Sequence, residues 1–149
     1  MYVFNDNLYV GGYDINYAFN AQDTIRIQFV ARWDGANWYN TSFNWQCWIP
    51  PQGMNVYSLT KYKNKLYSGG GFELCQPSSG FCGRYCWPPQ RNIILWDSIS
   101  SQWDTVGTEK LFFFYPSVMI EYNCKLYMGS YEIIATWNGS QLKDSIWGE

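Results

Sequence analysis

The chain has 149 residues, enough to bury one sizeable core. Ten basic against twelve acidic residues give a formal net charge of −2 with only 15% of positions charged. That density cannot neutralise phosphates, which excludes nucleic acid as a partner. No apolar run approaches the roughly 20 residues that span a bilayer; the densest, Leu111-Phe112-Phe113-Phe114-Tyr115, ends at Pro116. Residues 1–6 have neither the basic nor the apolar segment of a secretion signal, which by itself does not place the chain in the cytoplasm.

Aromatic residues make up 21% of the chain, a composition suited to pleated, half-buried strands, and no segment holds a helical apolar stripe over three turns. In chain order, Phe4-Asn5-Asp6-Asn7-Leu8-Tyr9 leads into Val10-Gly11-Gly12, and a variable stretch follows before Val30-Ala31-Arg32-Trp33-Asp34-Gly35 and Trp38. The same succession returns as Tyr62-Lys63-Asn64-Lys65-Leu66-Tyr67, Ser68-Gly69-Gly70, then Ile93-Ile94-Leu95-Trp96-Asp97-Ser98 and Trp103. A third pass runs through Tyr122-Asn123-Cys124-Lys125-Leu126-Tyr127, Met128-Gly129-Ser130, then Ile134-Ala135-Thr136-Trp137-Asn138-Gly139 and Leu142. The leucines are 58 and 60 positions apart, the spacing of a structural repeat with loop insertions. Each unit reads as four strands, which in the middle unit are 56–62, 65–68, 92–96 and 103–106. Glycine after the second strand marks close approach of backbones or positive φ, and Asp/Asn-Gly after the tryptophan marks a turn.

This order of residues resembles the Kelch-like β-propeller repeats of secreted and cell-surface bacterial proteins. The resemblance implies an all-β chain of antiparallel four-stranded blades, about two and a half of them, in a single domain over 1–149 with units near 1–52, 53–112 and 113–149. An incomplete ring leaves unpaired edge strands at its ends, to be completed by further copies, by the rest of a longer protein or by a partner.

For function, the absence of histidine removes the commonest general base and metal ligand, and with it the copper chemistry of a Kelch-type oxidase. Asp34 and Asp97 recur at equivalent repeat positions, where turn chemistry accounts for them better than catalysis. The sialidase-type Asp box is imperfect at Asp34-Gly35, and arginines to clamp a carboxylate are few. No enzymatic activity and no cofactor or metal is expected. Cys75, Cys82 and Cys86, with remote Cys47, have no common zinc spacing and are disulfide candidates, which favours a secreted or cell-surface location. On propeller topology these four lie at one end of the sheets, whereas Cys124 sits in a turn at the other end and is expected to be unpaired or linked to another chain. The aromatic residues of the same connection-bearing end form the candidate binding face: Tyr17, Phe19, Trp45, Trp48, Phe81, Tyr85, Trp87, Phe113 and Tyr115. The expected role is a binding or structural module for a protein partner, adhesion or self-association. A glycan-binding lectin is the alternative, and a fragment of a larger propeller enzyme is a second.

Overall fold

The computed structural model of the chain describes residues 1–13, 15–20, 23–27, 29–41, 55–72, 91–106, 114–131 and 133–145, and these residues are all-β with no helix. Sheet I is β1 (Tyr2–Phe4), β2 (Asn7–Gly11), β5 (Val30–Trp33) and β6 (Trp38–Asn40). The connection between β2 and β5 folds into a separate hairpin, β3 (Tyr17–Phe19) and β4 (Thr24–Arg26). Sheet II is β7 (Asn55–Tyr62), β8 (Lys65–Phe72), β9 (Arg91–Asp97) and β10 (Gln102–Thr105). Sheet III is β11 (Val118–Tyr122), β12 (Lys125–Gly129), β13 (Ile134–Trp137) and β14 (Leu142–Ser145). Each is an antiparallel meander. The sequence expectation of two and a half units becomes three four-stranded sheets, the first opened by a strand of only three residues.

Local chemistry sets these hairpins. In the first turn of each sheet both central residues have positive φ: Asn5 and Asp6 at 48° and 58°, Lys63 and Asn64 at 47° and 60°, Asn123 and Cys124 at 47° and 59°. Paired positive φ values are those of type I′ turns, whose twist matches the flanking strands. One register repeats across the sheets: Val3, Leu8, Trp33 and Trp38 stand opposite one another in sheet I, as do Lys61, Leu66, Trp96 and Trp103 in sheet II and Glu121, Leu126, Trp137 and Leu142 in sheet III.

Sheet II is buried on both faces, as the period of two allows. Leu66, Ile94, Trp96 and Trp103 pack toward sheet I against Phe4, Tyr9 and Val30. Tyr62, Tyr67 and Ile93, from alternate positions, pack toward sheet III against Met119, Leu126, Ala135 and Trp137. Phe114, from the aromatic run before Pro116, is fully buried in this second core. The sheets meet chiefly along their first strands: β7 lies against β1 and β2 on one side and β11 on the other. Val56 donates its backbone N–H to the Gly12 carbonyl, and the Ser58 hydroxyl donates to the Pro116 carbonyl.

The repeat glycines mark these approaches. A Cβ at Gly11 would fall 2.2 Å from Val56 Cγ1, and one at Gly69 would fall 2.7 Å from Pro116 Cβ, an atom next to the following sheet. Neither glycine has positive φ, so close approach is what the position demands. A buried polar link spans sheets I and II: Trp103 Nε1 donates to Thr41 Oγ1 at 3.0 Å, and the same hydroxyl donates to the Val30 carbonyl at 2.6 Å.

Two measurements check this packing. Gly69→Ala should lose about 1–3 kcal/mol in denaturant unfolding through overpacking. Thr41→Val, which leaves the buried indole N–H without its acceptor, should lose about 1–3 kcal/mol. Wild-type stability in both variants would place the inter-sheet contacts elsewhere.

Candidate functional site

The hairpin β3–β4 carries the best-defined candidate surface. Its inward residue Ala18 packs with Ile27 and Ala31, and Trp38 flanks them. The Trp38 indole N–H donates to the Phe19 carbonyl at 3.0 Å, which fastens the hairpin onto sheet I. The Asn20 side chain accepts from the Asp23 N–H at 2.6 Å and the Asp23 carboxylate from the Thr24 N–H at 2.7 Å, closing the hairpin turn. Alternation then turns Tyr17 and Phe19 outward, and both are exposed. The register sets Arg26 beside Tyr17 and Thr24 beside Phe19 on the same exposed side. Tyr13, also exposed, bridges to Asn55 where sheets I and II meet.

Of the aromatics expected on this end, Tyr17 and Phe19 are exposed as described, whereas Tyr115 is half-buried beside Gly71. Trp45, Trp48, Phe81, Tyr85, Trp87 and Phe113 lie outside the described residues, as do Cys47, Cys75, Cys82 and Cys86. Cys124 is exposed and unpaired in the β11–β12 turn. Among the described residues no cluster of three or more Cys, Asp or Glu could hold a metal ion, and no helix is long and apolar enough to cross a membrane.

From the sequence the β2–β5 connection reads as a variable stretch. The alternation in Tyr17-Ala18-Phe19 and Thr24-Ile25-Arg26 is the signal for the hairpin, but three residues are too short to register against a strand template. Arg26 and Thr24 gain their place beside Tyr17 and Phe19 only from the pairing.

The carboxylates following the repeat tryptophans are held by their own turns. Asp34 Oδ1 accepts from the Asn37 and Ala36 N–H groups at 2.7 and 2.8 Å, while Oδ2 accepts from the Tyr39 hydroxyl at 2.8 Å. The Arg32 guanidinium stacks 4.4 Å from the Tyr39 ring centroid. Asp97 accepts from the Ser100 hydroxyl at 2.7 Å and the Ile99 N–H at 2.9 Å. In sheet III Asn138 Oδ1 does the same work, accepting from the Ser140 and Gln141 N–H groups at 2.8 Å each.

Hydrogen bonds to the charged form hold both carboxyls below their ordinary range. For Asp34 the Asn37 N–H leads, followed by the Ala36 N–H and the Tyr39 hydroxyl; for Asp97 the Ser100 hydroxyl leads, followed by the Ile99 N–H. Tyr39 is pushed up because ionising it would remove its hydrogen bond to Asp34.

A depressed folded pKa means that these carboxylates add stability above their unfolded value, about 4, and lose it as pH falls through the folded value. Asp34→Asn and Asp97→Asn should keep the neutral-pH melting temperature, since Asn138 serves the same turn, and should flatten the loss of stability below about pH 4. Asp34→Ala should melt a few degrees lower at neutral pH. A thermal melt series from pH 2.5 to 7 checks all three, and an unchanged acid limb in the double Asn variant would count against the turn role.

Comparison of the chain with protein-family models, with curated proteins and with solved structures gave no match.

Proposed function

We propose that the chain is a non-enzymatic contact module, secreted or held at the cell surface, whose stacked meanders are blades of a Kelch-like β-propeller. The connection-bearing end of the sheets engages a protein partner. The observation that carries this reading is the outward face of β3–β4, where Tyr17 and Phe19 stand beside Arg26 and Thr24 on a hairpin fixed by Trp38. Rigid aromatics with an adjacent guanidinium supply contact area at low entropic cost and are typical anchors of protein interfaces.

Blade geometry draws support from three sheets of like strand order that stack through alternate residues and converge on their first strands. The non-enzymatic reading draws support from the turn-bound state of Asp34 and Asp97 together with the lack of histidine. The crowding of Cys75, Cys82 and Cys86 supports an oxidising location.

The test is binding of the labelled chain to extracellular proteins and, separately, to a glycan array, each with the Tyr17→Ala/Phe19→Ala variant alongside. The variant should melt as the wild type does, because both side chains are exposed, yet lose about tenfold or more in affinity for protein. Binding confined to glycans would replace the reading with the lectin one. Equal binding by the variant would remove the hairpin from the interface, and hydrolysis of a glycoside panel lost on Asp34→Asn would make the protein an enzyme.

A further inference from the structure

Two Asn-x-Ser/Thr triplets stand in the sequence, Asn40-Thr41-Ser42 and Asn138-Gly139-Ser140, each the acceptor pattern for an N-linked glycan. Their settings differ. Asn40 lies within β6, paired with Ala31, and the next residue, Thr41, is 1% exposed in the polar link between sheets I and II. Ser42 lies outside the described residues. Asn138, Gly139 and Ser140 are all exposed, in the turn between β13 and β14.

The equivalent turns show what that position requires. One oxygen is needed: Asp34 Oδ1 accepts from the N–H groups two and three residues on, and Asn138 Oδ1 does so from Ser140 and Gln141. The second atom of the fork is where the three part. In Asp34 it is an oxygen that accepts from the Tyr39 hydroxyl, and in Asp97 one that accepts from the Ser100 hydroxyl. In sheet III the hydroxyl of Ser140 turns instead to Oδ1, at 2.9 Å, and the second atom is the amide nitrogen Nδ2. Among the described residues Nδ2 has no hydrogen-bond partner. The turn is thus indifferent to whether a carboxylate or an amide closes it. The amide stands at the one position of the three with a hydroxyl residue two places on, since Asp34 is followed by Gly35-Ala36 and Asp97 by Ser98-Ile99.

We infer that Asn138 is the acceptor of an N-linked glycan, a site that rests on the reading of the chain as secreted or held at the cell surface. The donor is an oligosaccharide joined through its reducing-end C1 to a polyprenyl diphosphate. Nδ2 forms a bond to C1, the C1–O bond breaks with its electron pair leaving on the diphosphate, and Nδ2 gives up one of its two protons to a base of the transferring enzyme. Nothing is oxidised or reduced. Oδ1 is untouched, so the glycosylated side chain still accepts from Ser140 and Gln141 and the turn keeps its shape.

The sugar also falls clear of the contact surface. The Tyr62 hydroxyl donates to the Cys124 carbonyl and Lys63 Nζ to the Asn138 carbonyl, both at 2.8 Å, so the first turn of sheet II shares one end with both turns of sheet III. Val56, at the start of β7, meets Gly12 just beyond the end of β2, so sheets I and II run the same way up. The hairpin β3–β4 joins β2 to β5 and stands at the opposite end from these turns. A bulky, hydrophilic group at Asn138 therefore solubilises the turn end and leaves Tyr17 and Phe19 open.

The experiment secretes the whole chain from cultured insect cells behind an added signal, so that its own route does not enter the result. Release of glycans by a peptide amidase in heavy-oxygen water marks each formerly occupied Asn as a labelled Asp, read by peptide mass spectrometry. An arm without the amidase separates this from spontaneous loss of ammonia at Asn138-Gly139. Label at position 138 is expected, with position 40 unlabelled. Asn138→Asp should lose the glycan and melt as the enzymatically deglycosylated wild type does, because Asp34 and Asp97 close the same turn. Ser140→Ala should lose the glycan and Ser140→Thr retain it. A bare Asn138 in the secreted, cooperatively melting chain would overturn the inference, as would a glycan confined to Asn40 or one that survives Ser140→Ala. Tyr17→Ala/Phe19→Ala should leave occupancy unchanged, so loss of partner binding and loss of the glycan are read separately.

Discussion

A four-stranded sheet with apolar side chains on both faces cannot stand alone in water, because whichever face is left open keeps its hydrophobic surface wet. Sheet II meets this constraint by placing Ile94 and Trp96 in one core and Ile93 and Leu95 in the other, so that four successive residues of one strand serve two interfaces. Everything else in the fold follows from stacking. Glycine is needed at 11 and 69 because the next sheet comes within van der Waals reach of the backbone there. Thr41 is buried because it satisfies an indole N–H that stacking has removed from water.

The repeat was legible because its markers are tied to backbone requirements. The tryptophan before Asp34, Asp97 or Asn138 lies within one residue of a strand end, and the following side chain closes the turn through its own oxygen, so both residue types recur in register. The spacing of the leucines therefore located the strands, including those around Leu66 and Trp96. Less legible were features that depend on partners far along the chain. Tyr122 and Tyr62 are the same residue in equivalent settings, yet one is exposed and the other buried, because burial depends on which sheet comes next and not on the strand itself. On sheet III the face carrying Ile120, Tyr122 and Ile134 lies open.

Composition guided the search for chemistry only so far. A chain without histidine can still run on carboxylates, and the two that recur, Asp34 and Asp97, invite that thought. Each is held by its own turn: turn amides and the hydroxyls of Tyr39 and Ser100 donate to these carboxylates. The aromatics divide on similar grounds. Phe114 and Trp103 are consumed by the cores, whereas Tyr17 and Phe19 sit on a hairpin whose inward residue is a small alanine, leaving the large ones to solvent.

The meander connectivity also bears on how such a chain reaches its fold. Nearly every strand pairs with its neighbour in sequence, and the first turn of each sheet is of a type whose twist suits the strands it joins. Hydrogen bonding across the first turn of each sheet therefore closes short loops, while the apolar cores between sheets need segments that emerge later from the ribosome. Backbone order can form early in each unit from local contacts at small entropic cost, and tight side-chain packing must wait for the succeeding unit to arrive. During synthesis the newest sheet exposes one apolar face, a transient stickiness that each further sheet transfers one step along the chain.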